Sequence, residues 1–316
     1  MEKQTILITG GSGLVVFALK AITHKYPQYS YVFLSSRECD LTDYRETLNM
    51  FHRHSPWCII HLAACVGGLY KNMNQKVSMF EKNMLINMNV LRASYECGAK
   101  KFIGCLSTCI FPDKTTYPIN ETMLHNGPPH CSNDAYAYAK RMLEVQCRIY
   151  RETYGLDYMC IIPTNIYGPN DNYHLADAHV IPALIRKCWN ASDEGSPFVI
   201  LGTGKPVRQF IYSLDVAEII MLLAGCEKKI DNIIVSVGEE DEVSISDVGY
   251  LVAQEFDYTN NIVFDDSYSD GQYKKTADNS LLRSLFPEFV FTGIKEGIHE
   301  SVQWFLRNKH LPATRL

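Results

Sequence analysis

Gln4-Thr5-Ile6-Leu7-Ile8-Thr9-Gly10-Gly11-Ser12-Gly13-Leu14-Val15-Val16 is the stretch on which the fold turns. Its first six residues are a short apolar, β-branched run, which predicts a strand buried on both faces of a parallel sheet. Glycines follow at once, and residues 14–23 have helical apolar spacing. Strand, glycine turn and helix is the context a dinucleotide-binding βαβ unit requires. Gly10 permits the tight turn, and Gly13 lets backbone approach a pyrophosphate held at the positive end of the helix. Gly10, Gly11, Ser12, Gly13, Leu14, Val15 and Val16 are therefore candidate cofactor contacts. Val16 stands where the third glycine of the fingerprint falls, and Phe17 follows it. That bulky pair predicts altered helix–strand packing or a crowded cofactor. Alone, the loop could equally be a simple turn.

Moving outward, Tyr31-Val32-Phe33-Leu34 predicts a second strand, ending in Ser35-Ser36-Arg37. A site for NAD places an acidic residue at this strand end, on the ribose 2′-hydroxyl. Two hydroxyls and a cation suit a 2′-phosphate instead, so Ser36 and Arg37 predict NADP(H); the plainer reading of Arg37 is a solvated cation. Asp40-Leu41-Thr42-Asp43 is expected to open the next helix, with Asp40 and Leu41 near the adenine. Residues 57–62 predict a third strand. Ala63 and Ala64 then supply small side chains where backbone passes the cofactor, and Gly67-Gly68 a loop able to close over substrate. Residues 80–97 are a long helical pattern with Met84, Met88, Leu91 and Tyr95 on one face, a stripe that more often marks core or interface than a ligand set. Residues 101–106 predict the fourth strand, which delivers Ser107, Thr108 and Cys109 at its carboxyl end, where open α/β sheets place their sites.

Asp134-Ala135-Tyr136-Ala137-Tyr138-Ala139-Lys140 sets a phenol and an ammonium four residues apart among helix-forming alanines. Residues so spaced share a helix face. A free tyrosine titrates near ~10, and a fixed ammonium beside it favours the phenolate. A shift of roughly three units would correspond to about 4 kcal/mol. The spacing thus predicts an acidified Tyr136 that exchanges a proton with a carbonyl under reduction. An incidental pair on a surface helix is the bland alternative, and the company the pair keeps decides between them.

Composition narrows the function classes. A formal charge of −5, with no basic run, argues against a general nucleic-acid binder. No apolar stretch approaches the ~18–20 residues of a membrane span. The chain enters a strand at once, which leaves no room for a signal peptide. Eleven cysteines are scattered without CxxC pairs or Cys/His ligand spacing. That pattern predicts reduced thiols in a cytoplasmic protein, with neither disulfides nor a metal site.

The order T-G-G-x-G, L-A-A, S-T-C-I and Y-x-x-x-K resembles an extended short-chain dehydrogenase/reductase. Three blocks narrow the likeness: Ser107-Thr108-Cys109-Ile110-Phe111-Pro112, Pro163-Thr164-Asn165-Ile166-Tyr167-Gly168-Pro169 and His179-Val180-Ile181-Pro182. Together they resemble the GDP-L-fucose synthase family over nearly the whole chain. The resemblance implies an α/β chain: a Rossmann-type doubly wound parallel sheet over residues 1–168, with later strands returning to it. A smaller lobe, residues 169–316, would hold the nucleotide sugar. It implies NADP(H) as cofactor and GDP-4-keto-6-deoxy-D-mannose as substrate, epimerised at carbons 3 and 5 and reduced at carbon 4 to GDP-L-fucose.

Residue by residue, the resemblance assigns Ser107, Tyr136 and Lys140 to the reduction, and Cys109 with His179 to the epimerisation. Thiol and imidazole titrate ordinarily near ~8.5 and ~6.5, close enough to neutrality to exchange roles as acid and base. Either could instead be a plain core or scaffold residue. Pro163, Thr164, Asn165 and Ile166, with His179, would line the nicotinamide, and Asn165 also the sugar. Lys187 and Arg208 would hold phosphates, the latter through its planar fork. Asp270 would bind the nucleotide sugar and Lys275 the diphosphate. Leu201 stands where the family carries Trp against the base. Helices over residues 80–97 and 133–154 would pair two copies into a homodimer.

Further elements expected are a strand at 158–162, a helix at 180–189, a strand at 207–212, an acidic N-cap at Asp215 and a helix at 294–308. Two rival readings follow from departures. A 4,6-dehydratase of the same superfamily carries an Asp-Glu pair where this chain has Cys109-Ile110. A non-catalytic dinucleotide-binding subunit would explain Val16 and Leu201, but not the intact Ser107, Tyr136 and Lys140.

Overall fold

The computed structural model describes residues 3–67, 74–270, 272–311 and 314. The run Gln4–Thr9 is β1, with Ile6, Leu7 and Ile8 shut off from solvent. Then come α1 (Leu14–Ile22), β2 (Tyr29–Leu34), α2 (Tyr44–His54), β3 (Cys58–His61), α3 (Lys76–Glu96), β4 (Lys101–Cys105), α4 (Asp134–Tyr154) and β5 (Asp157–Pro163). With the later strand β10 (Asn232–Val235), the five strands form one parallel sheet in the order β10-β5-β4-β3-β1-β2. The chain runs outward from β1 to β2 and then returns to the other side of β1 as β3. The order therefore reverses at β1/β3, and the crevice at the carboxyl ends there is where such sheets bind ligands.

The chain divides into two compact units. The first comprises Met1–Thr115, Glu121–Pro163 and Val216–Val235, and the second Thr116–Asn120, Thr164–Asp215 and Ser236–Leu316. In the second, β6 (Asn165–Tyr167) pairs with β9 (Phe210–Tyr212) and β7 (Phe198–Leu201) with β12 (Ile262–Asp265), both parallel; β8 (Val207–Arg208) pairs antiparallel with β11 (Val243–Ser244). The helices α5 (Val180–Glu194), α7 (Ile245–Gln254) and α9 (Ile294–Asn308) bury Ile185, Val248 and Phe305 with Tyr167 and Phe198 in one core. Helices α6 (Ser213–Gly225) and α8 (Ser280–Leu285) complete the order.

Several expectations shift. Asp40 does not open a helix: its Oδ1 accepts from Thr42 N and Oγ1 at 2.9 and 2.7 Å, which holds a turn. Asp43 caps α2 instead, accepting from Glu46 N at 3.0 Å. Asp215 lies inside the first turn of α6, where its carboxylate accepts from Thr292 N and Oγ1, both at 2.8 Å. The strand expected over 207–212 breaks at Gln209. That buried amide donates to Val237 O and Ala277 O and accepts from Ala277 N, so it joins three segments.

The stripe on α3 is displaced as well. Met88 and Tyr95 are exposed, whereas Met79, Asn83, Asn87, Val90 and Leu91 form the buried face. Two asparagines occupy core positions because they meet buried polar partners there: Asn83 the backbone of Cys65, and Asn87 the His61 ring and the Ala139 carbonyl.

Candidate active site

Gly10 takes φ +84°, and Gly13 N closes the turn on Gly10 O at 2.9 Å. A Cβ at position 10 would stand 3.0 Å from Ala63 N, and one at position 11 would stand 3.0 Å from Leu34 C. The turn is thus wedged between the ends of β2 and β3, and only glycine fits there. Gly13 caps α1 without a side-chain hydrogen bond. The N–H groups of Leu14, Val15 and Val16 have no acceptor within the helix, which makes this end an anion site. Val16 is 1% exposed and belongs to the core, while Phe17 is partly exposed. The side chain that replaces the third glycine is thus absorbed by packing.

At the end of β2, Ser36 and Arg37 are exposed. Glu38, which sequence reasoning missed, lies just beyond them. Its Oε2 accepts from Ser35 N and Oγ at 2.8 and 2.6 Å, and those bonds hold its carboxyl below the usual range. The nearest carboxylate is therefore committed to the turn. Leu41 is buried, whereas Ala63 and Ala64 are half-buried. Gly68 lies outside the described residues.

A buried polar chain lies beneath the glycine turn. Leu62 N and Ala63 N donate to Thr9 Oγ1 at 3.2 and 3.1 Å, and Thr9 Oγ1 stands 2.8 Å from His61 Nδ1. His61 Nε2 meets Asn87 Oδ1 at 3.1 Å, and Asn87 Nδ2 donates to Ala139 O at 3.1 Å. The asparagine oxygen must accept, so Nε2 carries the ring proton and the threonine hydroxyl donates to Nδ1. Burial, with the Lys140 charge, pushes His61 down to about 3. Asn83 likewise pairs with Cys65 N and O at 2.9 Å each. Sequence reasoning missed Thr9, His61, Asn83 and Asn87. The i, i+4 asparagines within an apolar helix were the available signal.

Ser107 follows β4 and caps the 3₁₀ turn Thr108–Ile110, where its Oγ accepts from Cys109 N at 3.4 Å. On α4, Lys140 is 2% exposed and donates to Cys105 O at 2.7 Å. Its Nζ lies 5.9 Å from the Tyr136 ring centroid. Fold and helical spacing thus bring Ser107, Cys109, Tyr136 and Lys140 to one strand end. The expected acidification of Tyr136 is overturned. Burial pushes its phenol well above the ordinary value, with Cys109, Cys105 and Cys65 acting in the same direction. Burial also lowers Lys140. Desolvation dominates at both groups, so the phenol rests protonated.

Pro163 ends β5 in the first unit; Thr164, Asn165, Ile166 and His179 belong to the second. Thr164 Oγ1 donates to Ser236 Oγ at 3.2 Å, and Asn165 Nδ2 donates to Gln209 O at 2.9 Å. His179 stands exposed at the N-cap of α5. Along that helix Lys187, Asn190, Ala191 and Glu194 face Ser196, Pro197, Val199 and Leu201 across a cavity of about 240 Å³. Burial lowers Lys187. Asn190 and Glu194 were missed, although they sit three and seven residues beyond Lys187.

Arg208 donates to Val207 O and Gln272 O at 2.7 Å each, which fixes its fork. Burial lowers it, while Tyr117 and Glu242 oppose that effect. Asp270 uses both oxygens on Thr203, accepting from N and Oγ1 at 2.7 Å each, and so holds the turn after β7. Lys275 is half-buried, and Gly271 lies outside the described residues.

The NAD dependent epimerase/dehydratase family matches residues 6–238. GDP-L-fucose synthase of Dictyostelium discoideum is 50% identical over 309 residues, covering 97% of each chain. The chain belongs to this family, in its GDP-L-fucose synthase branch. A more distant member of the branch, from Escherichia coli (strain K12), is 30% identical over 317 residues and 98% of each chain. Among solved structures, a gdp-l-fucose synthetase from Naegleria fowleri bound to NADP is 45% identical, with a TM-score of 0.94 over 100% of this chain and 96% of that one. Such likeness over full length covers both units of the epimerase/dehydratase fold.

Proposed function

We propose that the chain is an NADPH-dependent GDP-4-keto-6-deoxy-D-mannose 3,5-epimerase-4-reductase, producing GDP-L-fucose. The observation carrying this reading is the half-buried Tyr136 set against the buried Lys140 at the strand end that also presents Ser107. The glycine turn, the open N–H groups of α1 and the exposed Ser36 and Arg37 fit a dinucleotide with a 2′-phosphate. NADPH, when bound, supplies hydride to carbon 4.

Cys109 and His179 exchange protons at carbons 3 and 5, one removing and the other returning on the opposite face. Ser107 Oγ donates to the carbon 4 oxygen and orients the ketone. Tyr136 then gives its proton to that oxygen, a step typically worth 10²–10⁴-fold. A raised phenol value suits the task, because the donor must arrive protonated. Lys140, held by Cys105 O, stabilises the phenolate as it forms.

In the second unit, the Lys187–Leu201 cavity suits a guanosine diphosphate. Lys187, Arg208 and Lys275 meet phosphate oxygens, Leu201 and Val199 lie against the base, and Glu194 offers acceptors to its N–H edge. Asn165 contacts the sugar, and Asp270 shapes the adjoining turn.

Exposed Phe80, Leu85, Met88, Tyr138 and Ile149 on α3 and α4 support pairing of two copies through those helices. No described helix is long and apolar enough to cross a membrane, and the described cysteines are unbridged; a cytoplasmic setting accords with both.

Incubation with NADPH and the keto-sugar in deuterated water tests the whole scheme. NADPH oxidation with deuterium at carbons 3 and 5 is expected, and no NADPH consumption refutes it. Cys109→Ser should abolish deuterium uptake while NADPH still binds.

A further inference from the structure

Lys20 stands in the last turn of α1 and has no part in the scheme above. A cation at that place ordinarily meets the final carbonyls of its own helix. This one reaches the opposite way. Side chains lean toward the N-terminus of a helix, and the Lys20 ammonium donates to Gly11 O at 3.0 Å, in the glycine turn that precedes α1. It also lies 5.0 Å from the ring centroid of Phe33, next to the end of β2.

The surroundings of that ammonium are defined by close contacts. Gly11 N donates to Leu34 O at 2.9 Å, and a Cβ on Gly11 would stand 3.0 Å from Leu34 C and from Ser35 N. The glycine turn and the end of β2 therefore touch where Lys20 arrives. Ser36 and Arg37, the residues that fit a 2′-phosphate, follow Ser35 directly and are exposed. An ammonium has three donors, and Gly11 O takes one of them. The neighbouring carboxylate, Glu38, is engaged with Ser35 N and Oγ; the Lys20 charge acts with those bonds to hold it ionised. A phosphate monoester carries a charge of about −1.5 to −2 near pH 7, more than one guanidinium offsets.

We propose that Lys20 is a second cation for the cofactor's 2′-phosphate, supplied by α1 as Arg37 is supplied by the end of β2, and that it sets the preference for NADP(H) over NAD(H). Neither its place in the fingerprint nor the residue after β2 marks it; the bond to Gly11 O does. The inference rests on NADP(H) as the cofactor.

Titration calorimetry with NADP⁺ and NAD⁺, which differ only in the 2′-phosphate, tests it without turnover. Lys20 is exposed, so its replacement leaves the core intact. Lys20→Met should raise the Kd for NADP⁺ roughly five- to tenfold and leave that for NAD⁺ within about twofold. Lys20→Arg, which keeps a cation there, should recover most of the NADP⁺ affinity. Unchanged NADP⁺ binding in Lys20→Met overturns the proposal. So does an equal loss for both dinucleotides, which would mean that Lys20 only shapes the glycine turn. Equal affinity of the unaltered chain for NADP⁺ and NAD⁺ would instead remove the underlying reading, so the two failures are told apart.

Discussion

Acidification should unfold this chain partly through His61, a residue far less exposed than its polarity implies. His61 is 0% exposed and pushed down to about 3 by burial and the Lys140 charge. An unfolded histidine titrates near ~6.5. Between the two values the unfolded chain binds the extra proton, so this group's stabilisation is complete above ~6.5 and is lost as pH falls toward 3. At about pH 5 the unfolded side chain lies some 1.5 units below its own value, which corresponds to about 2 kcal/mol.

Urea unfolding near pH 7 and pH 5, on the chain and on His61→Gln, isolates this amount. The remaining histidines of the ten titrate in both proteins and cancel in the difference. The unaltered chain should lose about 2 kcal/mol more than the variant over that interval. Equal losses would refute the reasoning, because they would mean the Thr9–His61–Asn87 chain accommodates an imidazolium.

Tyr136→Phe should lower carbonyl reduction by about 10²–10⁴-fold while deuterium still enters carbons 3 and 5; loss of both together would contradict the division of labour. Gly10→Ala meets Ala63 N at 3.0 Å from a φ of +84°. It should cost about 1–3 kcal/mol, read as lost thermal stability or weakened NADPH binding. Arg208→Ala should raise the KM for the GDP-sugar by roughly ten- to a hundredfold and leave that for NADPH unchanged, since a charged hydrogen bond contributes about 1.5–3 kcal/mol. A parallel rise in both would place Arg208 outside the sugar-nucleotide site.

The βαβ opening and the Tyr136/Lys140 pair were legible because both are local patterns: a strand, its turn and its helix lie within Gln4–Ile22, and four residues make one helical turn. What depended on partners distant in sequence was not. Asn83 and Asn87 resemble surface residues until α3 is laid against Cys65 and His61. The titration of Tyr136 was read with the wrong sign because spacing reveals the neighbouring ammonium but not the desolvation of both groups. Asp40 and Asp43 could each have capped α2, and the bonds to Thr42 decide between them. The place of Val16 in the fingerprint left open whether it met the strand or the cofactor, because the direction of its side chain is set by packing.

The sheet has an edge supplied late. Its strand β10 pairs with β5 from Asn232↔Cys160 to Val235↔Pro163, after the chain has left the first unit and come back. During synthesis, the nucleotide-binding half therefore waits with β5 as an unprotected border until Val235 clears the ribosome. Fragments ending before that point would carry a raw strand edge open to other chains, and aggregation is their expected fate.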